Sequence, residues 1–135
     1  MNKTGILLFA HGARDPAWAL PFEAAATRLR QRAPSTPVKL AFLEFMSPSI
    51  LEAGRALAAD ACTQVTVVPL FLGAGGHVRK DLPRLLQELT QLHPQVAWQL
   101  SPAVGETELL IQALADSAWA LAQGSAALLP PATAD

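Results

Sequence analysis

The sequence predicts an α/β protein, a three-layer α/β/α sandwich around a four-stranded parallel sheet. Two observations carry this. Short apolar runs alternate strictly with longer stretches of helical periodicity, and the links between them are short. The apolar runs are also continuous rather than alternating, the pattern of strands covered on both faces. Strict strand–helix alternation implies right-handed βαβ units, and hence a parallel sheet between helical layers.

Thr4 to Ala10 (TGILLFA) is the first strand, ending at His11-Gly12. Asp15-Pro16 then supplies an N-cap and a proline at the first helical position. Trp18, Phe22, Ala25 and Leu29 follow at helical spacing, and the helix should finish near Ala33-Pro34. Pro37 to Glu44 (PVKLAFLE) is the second strand. Ser47-Pro48 opens the second helix, in which Ser49 and Glu52 match a capping box and Ile50, Leu51, Ala53 and Leu57 form the apolar stripe. Gln64 to Phe71 (QVTVVPLF) is the third strand; Pro69 within it suggests an edge position or a bulge, since proline cannot donate a ladder hydrogen bond. Leu82, Leu85, Leu86, Leu89 and Leu92 mark a third helix ending near His93-Pro94. Val96 to Leu100 is a fourth strand and Glu106 to Ala122 a fourth helix. Residues 1–122 therefore form a single domain, and the low-complexity stretch 123–135 is expected to be a disordered tail.

A chain of 135 residues can bury a core without disulfides or metal staples. Its net charge of −1 argues against a nucleic-acid binder that works through bulk positive charge. The single cysteine, Cys62, reads as a helix-end core residue and fits a reducing compartment. There is neither a signal-peptide pattern nor an apolar stretch long enough to span a bilayer, so the cytoplasm is the expected location.

In a parallel sheet, ligands collect outside the carboxyl ends of the strands. His11 follows strand one, with Arg14 just beyond it; Glu44 ends strand two; Gly73, Gly75, Gly76, His77, Arg79 and Lys80 follow strand three. Two imidazoles and a carboxylate on one rim can bind a divalent transition metal such as iron, cobalt, nickel or zinc. The glycines permit close backbone approach to a large ligand, or movement of the loop. Arg14, Arg79 and Lys80 add a local positive collar suited to an acidic substrate. Arg79 and Lys80 fall in the first turn of a helix, an unfavourable place for cations, which favours a ligand role over a merely solvated face. The plainer readings are a loop hydrogen bond for His11, a solvated strand end for Glu44, a cap for Glu52 and a helix end for His93. A phosphate loop is a further alternative. However, GAGGHV departs from the dinucleotide fingerprint at Val78 and follows the third strand, not the first.

The segments LLFAHGARDPAW, AFLEFMSPSI and VVPLFLGAGGHVRKDLP resemble the small sirohydrochlorin chelatases of the CbiX type, over roughly Ile6 to Val104. The resemblance implies an enzyme that inserts a divalent metal into sirohydrochlorin, a reduced tetrapyrrole rich in carboxylates, with no organic cofactor. It implies that His11 and His77 bind the metal, and that Glu44 occupies the place of a carboxylate completing the metal site in class II chelatases. Arg14, Gly75, Gly76, Arg79 and Lys80 are then expected to meet the substrate. Cobalt is the first expectation for the metal, for cobalamin or siroheme biosynthesis, with iron or nickel as alternatives. A metal-delivery protein without turnover is the competing class. One departure is Ala13, where the family commonly has serine; it bears on substrate positioning and not on the metal site. A macrocycle too large for one small domain implies a homodimer with the cleft between subunits. Imidazoles bind metal only when neutral, so activity is expected to fall as the pH drops below about 6.5.

Overall fold

The computed structural model describes residues 2–73 and 75–125, with residues 76–79 and 125 described by their backbone alone. Four strands, β1 (Thr4–Ala10), β2 (Val38–Phe42), β3 (Gln64–Pro69) and β4 (Ala97–Leu100), alternate with four helices, α1 (Leu20–Arg32), α2 (Ile50–Ala59), α3 (Gly76–Leu92) and α4 (Glu108–Ala120). All strands pair in parallel in the order β2-β1-β3-β4. The sheet is thus wound outward from β1 in both directions. Right-handed crossovers then put α1 on one face and α2 and α3 on the other.

The core divides accordingly. Leu7, Phe9, Ala41, Val65 and Val67 of the sheet meet Ile50, Ala53 and Leu57 of α2 and Leu82 and Leu89 of α3 on one face. Leu8, Ala10, Val38, Leu40 and Phe42 meet Ala26 of α1 on the other, with Phe22 and Leu29 alongside. The α1 stripe therefore passes through Ala26, and Ala25, placed on it by spacing, is exposed. Leu57 is wholly buried. Leu57→Ala is expected to cost about 2–5 kcal/mol, the range for truncating a core leucine, read as a lower urea midpoint with an unchanged slope.

Local chemistry accounts for the element boundaries. Asp15 caps as expected, its carboxylate accepting from Ala17 N–H at 3.0 Å. However, residues Pro16–Ala19 form a 3₁₀ turn and α1 starts only at Leu20. Pro21 explains the delay, because it has no N–H to donate back to Ala17 and is tolerated only in a helix's first turn. Ser49 and Glu52 form the full capping box, with both bonds at 3.2 Å. Cys62 is a buried free thiol just past α2. Burial pushes its pKa up, Lys3 opposes this and Asp60 adds to it. His93 caps the end of α3 beside Trp98, at the rim opposite the one that carries His11.

The expectation that Pro69 marks an edge or bulge is not met: β3 lies between β1 and β4. Its pairing shows why proline is tolerated there. Leu70 N–H donates to Phe9 O, whereas Val67 O accepts from Ser101 N–H on the β4 side. The nitrogen of Pro69 therefore points toward β4, but β4 pairs no further along β3 than Val67. No ladder bond is lost. The fourth helix is shorter than expected from periodicity, and Leu121–Ser125 continue it as a wider turn. Of the expected tail over 123–135, residues 123–125 belong to that turn, and 126–135 lie outside the described residues.

Candidate functional site

The strand order creates a crevice at one place. β1 and β3 are neighbours, yet the chain leaves β1 toward the α1 face and leaves β3 toward the α2–α3 face. Such a switch point at the carboxyl rim is where doubly wound sheets bind ligands. His11 is the first residue beyond β1, and the backbone of His77 lies in the first turn of α3, which follows β3.

Glu44 is held to His11 by the backbone. Beyond the last residue of β2 the ladder continues for one rung, Leu43 N–H to Ala10 O at 2.9 Å, and the chain then bends so that Glu44 N–H donates to His11 O at 3.0 Å. This explains why β2 reads as extending to Glu44 although the regular strand stops at Phe42. Both side chains are exposed to solvent. The His11 ring rests on Phe71, with centroids 4.7 Å apart, and Phe71 is itself buried and edge-on to Phe9. An exposed imidazole is thus seated on the core while keeping a face open to solvent.

Gly12 makes the close pairing feasible. Its φ is +91°, and a side chain there would collide with the carbonyl oxygen of Glu44. Gly75, at the cap of α3, has open space around it, as does Gly73. These two are not demanded by backbone conformation or packing, and leave room at the rim.

Arg14 lies over the Phe45 ring, its guanidinium carbon 4.7 Å from the ring centroid, a cation–π distance. Phe45 is 57% exposed and has a φ of 66°. A non-glycine residue in this region is uncommon, and such conformations are enriched at functional sites. Ala13, Arg14, Phe42, Phe45, Met46 and Ser47 line a cavity of about 310 Å³ beside the rim. Phe45 is a candidate site residue that sequence reasoning missed. The available signal was an aromatic residue directly after a strand-end carboxylate.

Lys80 is exposed near the start of α3, and the backbones of Gly76, His77 and Arg79 belong to the same first turns. The side chains of His77 and Arg79 lie outside the described residues. Among the described residues no three His, Cys, Asp or Glu side chains stand together closely enough to hold a metal ion. His11 and Glu44 are joined through the backbone.

The CbiX family model matches residues 5–119. This chain belongs to the CbiX family. It is similar to the sirohydrochlorin cobaltochelatase of Sulfurisphaera tokodaii, 34% identical over 69% of this chain and 76% of that protein. To the sirohydrochlorin cobaltochelatase of Methanothermobacter thermautotrophicus it is 38% identical, over 62% of this chain and 58% of that one. Among solved structures, a putative cobalamin biosynthesis CbiX protein from Marinobacter aquaeolei superposes with a TM-score of 0.81 at 31% identity, covering 90% of this chain and 99% of that chain. The sirohydrochlorin chelatase SirB from Bacillus subtilis subspecies spizizenii, in complex with cobalt, gives a TM-score of 0.73 at 26% identity, covering 89% of this chain. The CbiX chain spans only 51% of that SirB chain. The α/β fold is therefore the chelatase fold.

Proposed function

We propose that this CbiX chain is a sirohydrochlorin chelatase that inserts a divalent metal, most readily cobalt, into the tetrapyrrole, working as a homodimer in the cytoplasm. The observation that carries the reading is the hydrogen bond from Glu44 N–H to His11 O at 3.0 Å. It ties the backbone of a carboxylate-bearing residue to that of an imidazole-bearing one at the carboxyl rim of the sheet, the rim from which the helix bearing His77 also starts. Family membership and the names of the relatives support the substrate. That no described helix is long and apolar enough to cross a membrane agrees with the location.

In this reading the metal ion, itself a substrate, is first taken by neutral His11 and His77, with Glu44 as a further ligand or counter-charge. Arg14, Arg79 and Lys80 pair with the substrate's carboxylates, and Gly75 and Gly76 let the macrocycle approach the backbone. Phe45 offers a flat apolar surface edged by the Arg14 cation, matched to a flat ring rimmed with carboxylates. As two metal–nitrogen bonds form, two pyrrole N–H protons must leave. Groups released from the metal, an imidazole and a carboxylate, accept one proton each and pass them to solvent. No covalent enzyme intermediate and no organic cofactor is needed.

The test is direct. Purified protein is mixed with sirohydrochlorin and cobalt(II), iron(II) or nickel(II) in turn, and the visible spectrum is followed. Metal insertion well above the uncatalysed rate, fastest with cobalt, is expected. Tight metal binding without any spectral conversion would instead identify a delivery protein.

A further inference from the structure

Two large apolar side chains stand out from the carboxyl rim, one on each side of His11. Phe45 lies three residues beyond the end of β2 and Leu72 three residues beyond the end of β3, and β1, which leads into His11, runs between those two strands. Neighbouring strands are about 4.8 Å apart, so β2 and β3 stand about 10 Å apart across β1. Phe45 is 57% exposed and Leu72 70%. Single exposed apolar residues are ordinary on a protein surface. What sets this pair apart is that the backbone fixes both of them.

Phe45 is held by its left-handed backbone, φ 66°, and by the Arg14 guanidinium over its ring. Leu72 is held from the other flank. Gly105 N–H donates to Phe71 O at 2.8 Å, and a Cβ on Gly105 would strike the carbonyl group and Cα of Leu72. Only glycine lets the turn Val104–Glu106 come this close to the chain as it leaves β3. The Thr107 hydroxyl closes that turn by donating to Val104 O at 2.6 Å. Phe71 is thereby kept turned in beneath the His11 ring, and Leu72, the next residue, is turned out. The placement of Leu72 relative to His11 thus runs through one buried aromatic ring.

The patch has the chemistry of one kind of ligand. Apolar side chains flank the imidazole, and cations stand at the margin, Arg14 over Phe45 and Lys80 near the start of α3. A carboxylated tetrapyrrole has the complementary pattern, with apolar faces, nitrogens at the centre and charges at the edge. Laid across two supports about 10 Å apart with His11 between them, such a ring has its centre over the imidazole. Phe45 alone would leave it free to slide.

We propose that Leu72 is a second apolar support for the substrate. With Phe45 it brackets His11 and centres the face of the macrocycle over the imidazole, and Gly105 is a positioning residue that acts through Leu72. The inference rests on the chelatase reading above and extends it to residues on the far side of the metal-binding imidazole.

Titration of metal-free sirohydrochlorin into the full chain, followed by its absorbance, tests this without requiring turnover. Leu72→Ala should keep native circular dichroism and raise the Kd about 10-fold, the scale of one uncovered leucine side chain. Leu72→Met keeps the volume and the apolar character and should stay within about 3-fold of wild type. Leu92→Ala, at a similarly exposed leucine at the far end of α3, should leave the Kd unchanged. In turnover with cobalt(II), the loss from Leu72→Ala should fall on KM for sirohydrochlorin far more than on kcat, with cobalt(II) affinity unmoved. Gly105→Ala should also weaken binding, and should add little once Leu72→Ala is present, because the two act as one unit. A Kd indifferent to Leu72→Ala overturns the bracket and leaves the chelatase reading standing. A wild type that binds sirohydrochlorin but never converts it overturns the chelatase reading, while the bracket stands or falls by the ratio of Kd values. A wild type that does not bind it overturns both. If Leu72→Ala splits a dimer in sedimentation and the Kd follows that loss, Leu72 is a subunit contact and the bracket is overturned.

Discussion

His11→Ala is expected to fold as the wild type does and to lose at least about 100-fold in metal insertion, the scale of a removed ligand or proton acceptor. Folding should survive because the imidazole is solvent-exposed and its one described aromatic contact is with Phe71, which keeps Phe9 as a partner. Chelation should not survive if His11 takes the incoming metal, because among the described residues no cluster of three His, Cys, Asp or Glu side chains could hold the ion in its place. His77→Ala should behave alike if both imidazoles hold the incoming metal. The double variant should then be little worse than either single one, since residues acting as a unit are non-additive. The measurement is the rate of spectral conversion of sirohydrochlorin with cobalt(II), paired with thermal melts. A His11→Ala enzyme with near-wild-type turnover would remove His11 from the site. Equal loss of stability and activity would make it a structural residue.

The fold was legible because its signals are local. The run TGILLFA could only be a covered strand, and its bounds match β1 residue for residue. The Ser49–Glu52 capping box needs three intervening positions and nothing from the rest of the molecule. Pro69 was misread because the rule against proline in central strands concerns which neighbour the missing N–H would face. That depends on how far β4 extends, which periodicity does not report. The delayed start of α1 was legible in principle, from Pro21 following Pro16 at an interval that forbids a helix through both.

The site divides in the same way. That His11, Glu44 and His77 follow three parallel strands places them on one rim from topology alone. That Glu44 N–H meets His11 O is a tertiary property: the register ends at Ala10 with Phe42, and a bend beyond Phe42 brings Glu44, one residue out of that register, onto His11. The outward placement of Phe45 and the exposure of α4 were invisible for a related reason. An aromatic at a strand end and an apolar helix both read as core material. Only the folded chain shows one turned out over Arg14 and the other left uncovered.

Gly12→Ala is expected to be the most damaging single-methyl change at the rim. Two costs combine. An L-residue at φ +91° is strained by about 1–3 kcal/mol. The added Cβ would also overlap the Glu44 carbonyl oxygen, a backbone atom that cannot rotate away. Relief requires the His11–Glu44 rung to open, and overpacking of this kind costs roughly another 1–3 kcal/mol. A total on the order of 3 kcal/mol should lower the melting temperature by about 10 °C. Activity should fall further than stability, measured well below the melting transition, because the strain is relieved by parting the imidazole from the carboxylate. Gly75→Ala is the matched control. Its φ is −63° and, among the described residues, nothing lies within 4 Å of the new methyl, so its stability should stay within about 0.5 kcal/mol of wild type. If Gly12→Ala were as mild as Gly75→Ala, the rung would not be what holds His11 and Glu44 together. If instead it lost stability but kept its full rate on the folded fraction, the spacing of those two side chains would not matter to chelation.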